Sequence, residues 1–133
     1  MITVLFACVH NAGRSQIAAA LFGALADPAR ARAISAGTRP AAAVHPEVVA
    51  VLRERGIDVS TAVPQPLTGA LATGATWLVT MGCGEDCPVV PGAQRADWPV
   101  DDPKGRSPED VRRICDEIEA RVRAFVDQLG CAR

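Results

Sequence analysis

The chain contains no tyrosine, and its other aromatic side chains are three Phe and two Trp. Ring surface is therefore scarce, and little of it is available to wall in an aromatic ligand. Charge of one sign is not in excess either, since 14 Lys and Arg face 15 Asp and Glu for a net charge of −1. That balance leaves no electrostatic footprint for nucleic acid or an anionic membrane surface. Long apolar runs are also missing. The opening run from Ile2 to Val9 carries no basic leader and falls far short of the ~20 residues that span a bilayer, so neither a signal peptide nor a transmembrane helix is expected. Repeats, low-complexity stretches and linkers are absent. The five cysteines are odd in number and not spaced as a secreted disulfide framework, which points to a reducing cytoplasm. What remains is one compact domain over residues 1–133, large enough to bury about two-thirds of its unfolded surface.

Within that domain, strands alternate with helices. Ile2 to Ala7 is apolar without clean alternation, as in a parallel strand buried on both faces. From Ser15, the residues Ile17, Ala20, Leu21, Ala24 and Leu25 recur at helical spacing until Asp27-Pro28 closes the pattern. Ala31 to Ala36 reads as a second strand that stops at Gly37. His45-Pro46 opens a helix that runs to Arg55, with Gly56 as its left-handed cap. A proline-broken loop follows from Ile57 to Thr68, then a short Ala-rich helix near Leu71. Thr76 to Thr80 is the third strand, Met81 to Gly92 a loop, and Gln94 to Trp98 a short edge strand. Ser107-Pro108-Glu109-Asp110 caps a last helix whose stripe is Val111, Ile114, Cys115, Ile118, Val122, Phe125 and Leu129, ended by Gly130. The expected architecture is α/β, a four-stranded parallel sheet with helices on both faces.

The chemistry-bearing segment is Cys8-Val9-His10-Asn11-Ala12-Gly13-Arg14-Ser15, which hands the first strand to a helix N-terminus. Unpaired N–H groups and a partial positive charge at such an end bind an oxyanion. The same field, with Arg14 beside it, favours thiolate over thiol at Cys8. Arg14 can fork onto two ligand oxygens in a way lysine cannot. Asn11 and Gly13 suit a loop that needs left-handed backbone angles, and Ala12 completes it. The Ser15 hydroxyl reads equally as a donor to the sulfur and as a plain helix N-cap. His10 can reach the ligand, although a solvent-facing histidine is the simpler reading. Asp101-Asp102-Pro103 lies in the loop before the last helix, where a carboxylic acid could protonate a leaving oxygen.

Cys83 and Cys87 bracket Gly84-Glu85-Asp86 in the loop after the third strand, which shares a sheet edge with the Cys8 loop. Three readings apply: redox partners of Cys8, half of a metal site, or ordinary loop cysteines. Redox is preferred to metal, because structural zinc wants four ligands and His10 and His45 have no recognisable spacing. Cys115 falls on the apolar stripe as a small hydrophobe, and Cys131 lies in a short tail where disorder is the default. Trp77 is expected in the core and Trp98 against the acid-bearing loop.

Cys8-x5-Arg14-Ser15 after a first strand, with Asp102-Pro103 before the last helix, resembles the low-molecular-weight protein tyrosine phosphatase fold. Ser35-Ala36-Gly37-Thr38, the Cys83/Cys87 loop and Asp97-Trp98-x-x-Asp101-Asp102-Pro103 are similar to the arsenate reductases built on that fold. The resemblance implies that Cys8 is the nucleophile, Arg14 the oxyanion clamp, Ser15 the thiolate stabiliser and Asp102 the acid. It further implies that Cys83 resolves the arsenic adduct and that Cys87 receives the disulfide, to be reduced by thioredoxin. The gap between Cys83 and Cys87 is shorter than in the thioredoxin-coupled members. Related reductases release arsenic onto a small thiol such as mycothiol, with a glutaredoxin-like protein as reductant, and that route is the alternative. No bound cofactor and no metal are implied, since Ala19 and Gln65 stand where some members carry cation-binding carboxylates. A monomer is expected. Arsenate and phosphate are near-isosteric, so the walls must discriminate between them. Lys104-Gly105-Arg106 follows Pro103 in place of aromatic residues, which favours a small inorganic anion over phosphotyrosine. A phosphatase of the same fold and a non-catalytic oxyanion sensor are the remaining readings.

Overall fold

The computed structural model describes residues 1–82 and 91–133. Its elements are β1 (Ile2–Cys8), α1 (Arg14–Leu25), β2 (Ala31–Gly37), α2 (Pro46–Glu54), α3 (Gly69–Thr73), β3 (Trp77–Thr80), β4 (Gln94–Asp97) and α4 (Pro108–Leu129). The four strands form one sheet in the order β2-β1-β3-β4, every neighbouring pair parallel. β1 is central, and the chain leaves it towards β2 on one side and returns to β3 on the other. Ligand crevices in open α/β sheets lie at such a switch point, beyond the carboxyl ends of the strands.

β1 shows why its sequence does not alternate. Val4, Phe6 and Cys8 point into the main core with residues of α1, α2 and α4, while Leu5 and Ala7 point into a smaller cluster with Ala36, Ala72, Ala75 and Leu78. Three helices cover one face, and α3 with the preceding loop covers the other. An aromatic group ties the main core together. Phe125 of α4 meets Trp77, Trp98 and Phe22 with ring centroids 5.2, 5.5 and 6.4 Å away.

Several boundaries and roles differ from expectation. α1 begins at Arg14, its first intrahelical bond running from Ile17 N–H to the Gly13 carbonyl. Its buried face is Ile17, Ala18, Leu21 and Phe22, while Ala24 is exposed. The helix is apolar on most sides, so spacing alone could not choose the face. β4 stops at Asp97, because Trp98 N–H makes one more bond to the Thr80 carbonyl and Pro99 then supplies no donor. Trp98 is a core residue, seated against Phe6 and Phe125. Cys131 is fully buried and its carbonyl accepts from Asp27 N–H, while Ala132 pairs with Ala26 in an isolated bridge. The tail is thus docked. α4 follows expectation: Ser107 accepts from Asp110 N–H at 3.2 Å, and Gly130 closes the helix at φ 66°.

Candidate active site

The segment after β1 turns through Asn11, whose φ of 50° is left-handed, whereas Gly13, expected to need the same, stands at φ −136°. The carbonyls of Cys8, Val9, His10 and Ala12 accept from the N–H groups of Thr38, Arg39, Ala41 and His45, at 3.2, 2.7, 2.9 and 2.9 Å. The segment beyond β2 therefore takes up the loop's acceptors. Among the described residues, no protein acceptor takes an N–H from His10 through Ser15. These free donors lead into the N-terminus of α1, which is the arrangement an oxyanion requires. Gly37 permits the close approach of β2, since a Cβ there would lie 2.6 Å from the Val9 carbonyl oxygen.

Asn11 is completely buried and heads the hydrogen-bonded chain that ends on Cys8. Its Oδ1 accepts from Gln65 N–H at 3.0 Å and from Gln16 Nε2 at 3.3 Å, which fixes how the amide faces. Its Nδ2 therefore donates to Ser15 Oγ at 2.8 Å. With an acceptor site of Ser15 filled, the Ser15 proton is free to point at Cys8 Sγ, 2.9 Å away. Ser15 lies in the first turn of α1 and is not its cap; Gly13 holds that position with no side-chain bond. Gln16, which also donates to the Asn11 carbonyl at 3.0 Å, and Gln65 are members of this network that spacing does not reveal. Gln65 is remote in sequence and reaches Asn11 through its main chain, so no local pattern could mark it.

The Arg14 guanidinium donates to the Val100 carbonyl at 3.2 Å and stands 3.8 Å from the Asp102 carboxylate. It is 13% exposed against 44% for Asp102. Gly82, at the end of β3, makes that placement possible. Its φ is 90°, and a Cβ there would lie 2.2 Å from Arg14 Nη1. Asp101 is turned away to Arg113 of α4, 3.3 Å distant. Buried Pro103 rests on the anion loop, where a Cβ on Gly13 would meet Pro103 Cγ at 2.8 Å. Cys8, Asn11, Ala12, Gly13, Arg14, Ser15 and Asp102 thus converge at the carboxyl edge of the sheet. The His10 side chain is half-buried and makes no hydrogen bond among the described residues.

Cys83 and Cys87 lie outside the described residues. The other cysteines are remote from Cys8 in chemistry. Burial pushes the Cys115 thiol up to about 11, with the Arg55 guanidinium opposing that shift, and burial also raises the Cys131 thiol. Asp97, at the end of β4, is held below the usual carboxylate range by its hydrogen bond from Thr80 and then by Arg95. That pair anchors β4 to β3.

The chain belongs to the low molecular weight phosphotyrosine protein phosphatase family, whose model matches residues 3–132. Within that family it is 37% identical to a putative arsenate reductase of Halobacterium salinarum, over 94% of this chain and 91% of that one. The fold superimposes on a thioredoxin-dependent arsenate reductase of Corynebacterium glutamicum with a TM-score of 0.85 at 40% identity. That match covers 98% of this chain, which spans 62% of the length of the other. An arginine phosphatase from Geobacillus stearothermophilus gives 0.84 at 25% identity, over 98% of this chain and 94% of its own.

Proposed function

We propose that the protein reduces arsenate to arsenite, with Cys8 as nucleophile and an external thiol as the ultimate donor. The observation that carries this reading is the bond chain Asn11 to Ser15 to Cys8, set in a loop whose N–H donors are unclaimed among the described residues. Arsenate would sit against those donors and the Arg14 guanidinium. A hydroxyl donor on the sulfur stabilises negative charge there and readies it for attack. The Cys8 thiolate forms an S–As bond, and Asp102 protonates the oxygen that leaves as water. A second thiolate, Cys83, then attacks the Cys8 sulfur. The S–As electron pair stays on arsenic, which departs as arsenite, and a Cys8–Cys83 disulfide remains. Two electrons have passed from two thiols to arsenic. Cys87 exchanges into that disulfide to give Cys83–Cys87 and free Cys8. Thioredoxin restores the dithiol. In the alternative coupling, mycothiol takes the arsenic and a glutaredoxin-like protein completes the reduction. We read the working unit as a cytoplasmic monomer with no bound cofactor.

A phosphatase is the second reading, favoured by the arginine phosphatase of the same fold and by the near-identity of phosphate and arsenate in shape. Incubating the pure protein with arsenate decides between them. Arsenite should appear in proportion to thiol consumed, faster with thioredoxin than with mycothiol plus a glutaredoxin-like protein. Rapid hydrolysis of a phosphate ester with no arsenite formed would overturn the reductase reading.

A further inference from the structure

We infer that Glu47, in the first turn of α2, is a positioning residue that latches the Asp102 loop over the anion site; this rests on reading Asp102 as the acid. The loop is a tight turn. Asp102 Oδ1 accepts from Lys104 N–H at 3.0 Å, the Asp102 carbonyl accepts from Arg106 Nε at 2.8 Å, and Arg106 N–H returns to the Pro103 carbonyl at 3.2 Å. Gly105 stands at φ 70°, which costs a glycine little, and no atom lies within 4 Å of where its Cβ would be. The glycine is therefore required by the backbone and not by crowding. That backbone aims the Gly105 N–H out of the turn and across to α2, where Glu47 Oε1 accepts it at 3.1 Å.

This contact is the far end of a clamp whose near end is Pro103 on Gly13. His45 belongs to the same clamp: its N–H binds the Ala12 carbonyl and its ring also lies against Gly13. The start of α2 thus grips both the anion loop, through His45, and the acid loop, through Glu47, only two residues apart. One short piece of helix fixes the distance between nucleophile and acid. A carboxylate accepting a main-chain N–H is among the stronger hydrogen bonds, and outside its own turn the Asp102 carboxylate makes a long, half-exposed contact with Arg14. Without the latch, Asp102 samples positions from which proton transfer to the leaving oxygen is slow.

The test is single-turnover arsenite release with excess arsenate and no external reductant, alongside inhibition by inorganic phosphate. Glu47→Ala should slow release by about tenfold while the phosphate inhibition constant stays within about twofold. Glu47→Gln keeps an acceptor oxygen and should recover most of the rate. In an Asp102→Asn background, Glu47→Ala should cause no further loss, because the group it positions is already gone. Circular dichroism and a melting curve report whether each variant is folded. If Asp102→Asn is slow but Glu47→Ala matches the parent, or if the two losses multiply, the latch is wrong. If Asp102→Asn itself is as fast as the parent, the acid assignment fails first and the latch with it.

Discussion

Asp101 and Asp102 are adjacent carboxylates with identical chemistry and opposite surroundings. Asp101 pairs with Arg113 on the outside of α4, both side chains more than half exposed. Asp102 faces Arg14 at the mouth of the anion loop. Their roles should separate accordingly. Asp102→Asn is expected to slow the first chemical step by ~100- to 10,000-fold, the usual worth of a general acid, while phosphate still binds. Asp101→Asn removes an exposed ion pair worth about 1 kcal/mol at most and should change the rate by less than about fivefold. Rapid-quench measurement of arsenite formation in both variants checks the pair, and a larger effect at Asp101 would reverse the assignment. The sequence offered this dipeptide as the source of the proposed acid and favoured its second member. What it could not supply was the cause, since Arg113 and Arg14 reach the two residues from opposite ends of the chain. The Cys8 loop was more legible because its spacing is local. Asn11 was marked by its need for a left-handed angle, whereas Gln16, Gln65 and Glu47 act through contacts that no neighbouring residue announces.

The elements matter here for where their carboxyl ends stop. β1 delivers Cys8, β2 delivers the segment that takes the loop's carbonyls, β3 delivers Gly82, and β4 leads to Val100 and Asp102. Arg14 is fixed between the last two, its guanidinium lying on Gly82 and bonded to the Val100 carbonyl. Gly82→Ala should therefore displace Arg14 twice over, through a methyl group in its place and through strain at a φ of 90°. Losing a charge-assisted contact of ~1.5 kcal/mol or more implies phosphate binding weaker by about tenfold or more. Titration calorimetry with inorganic phosphate measures it; unchanged affinity would mean that Arg14 does not clamp the anion. Most elements were readable from periodicity and caps, α4 above all, because its stripe, cap and terminal glycine agree. The misses have physical reasons. α1 is apolar nearly all round, Pro99 cuts β4 one residue early, and the C-terminal tail is held by pairing to the segment after α1, about a hundred residues away.

Considered as a whole, the molecule segregates its thiols. Cys115 is sealed in the core of α4 with its thiol raised to about 11, and Cys131 is sealed under the C-terminal bridge with its thiol also raised by burial. Both stay protonated at neutral pH and have no path to an oxidant, so they should take no part in electron transfer. Cys8 is also buried, yet it alone among the described cysteines meets a hydroxyl group at a helix N-terminus beside an arginine. Under the proposed relay, oxidation is then confined to Cys8, Cys83 and Cys87. After one turnover with arsenate and no reductant, disulfide mapping by mass spectrometry should find Cys83 bonded to Cys87, with Cys8, Cys115 and Cys131 as free thiols. Removing the last acceptor should trap the preceding step, so Cys87→Ser should hold a Cys8–Cys83 disulfide with one arsenite released per chain. Full activity of both Cys83→Ser and Cys87→Ser with a small thiol as donor would overturn the internal relay. Cys8 would then be the one cysteine this chain contributes, and arsenic would leave on the small thiol. A disulfide at Cys115 or Cys131 would instead mean that the core opens during turnover, contrary to the packing of α4 against α1 and the bridge between Ala26 and Ala132.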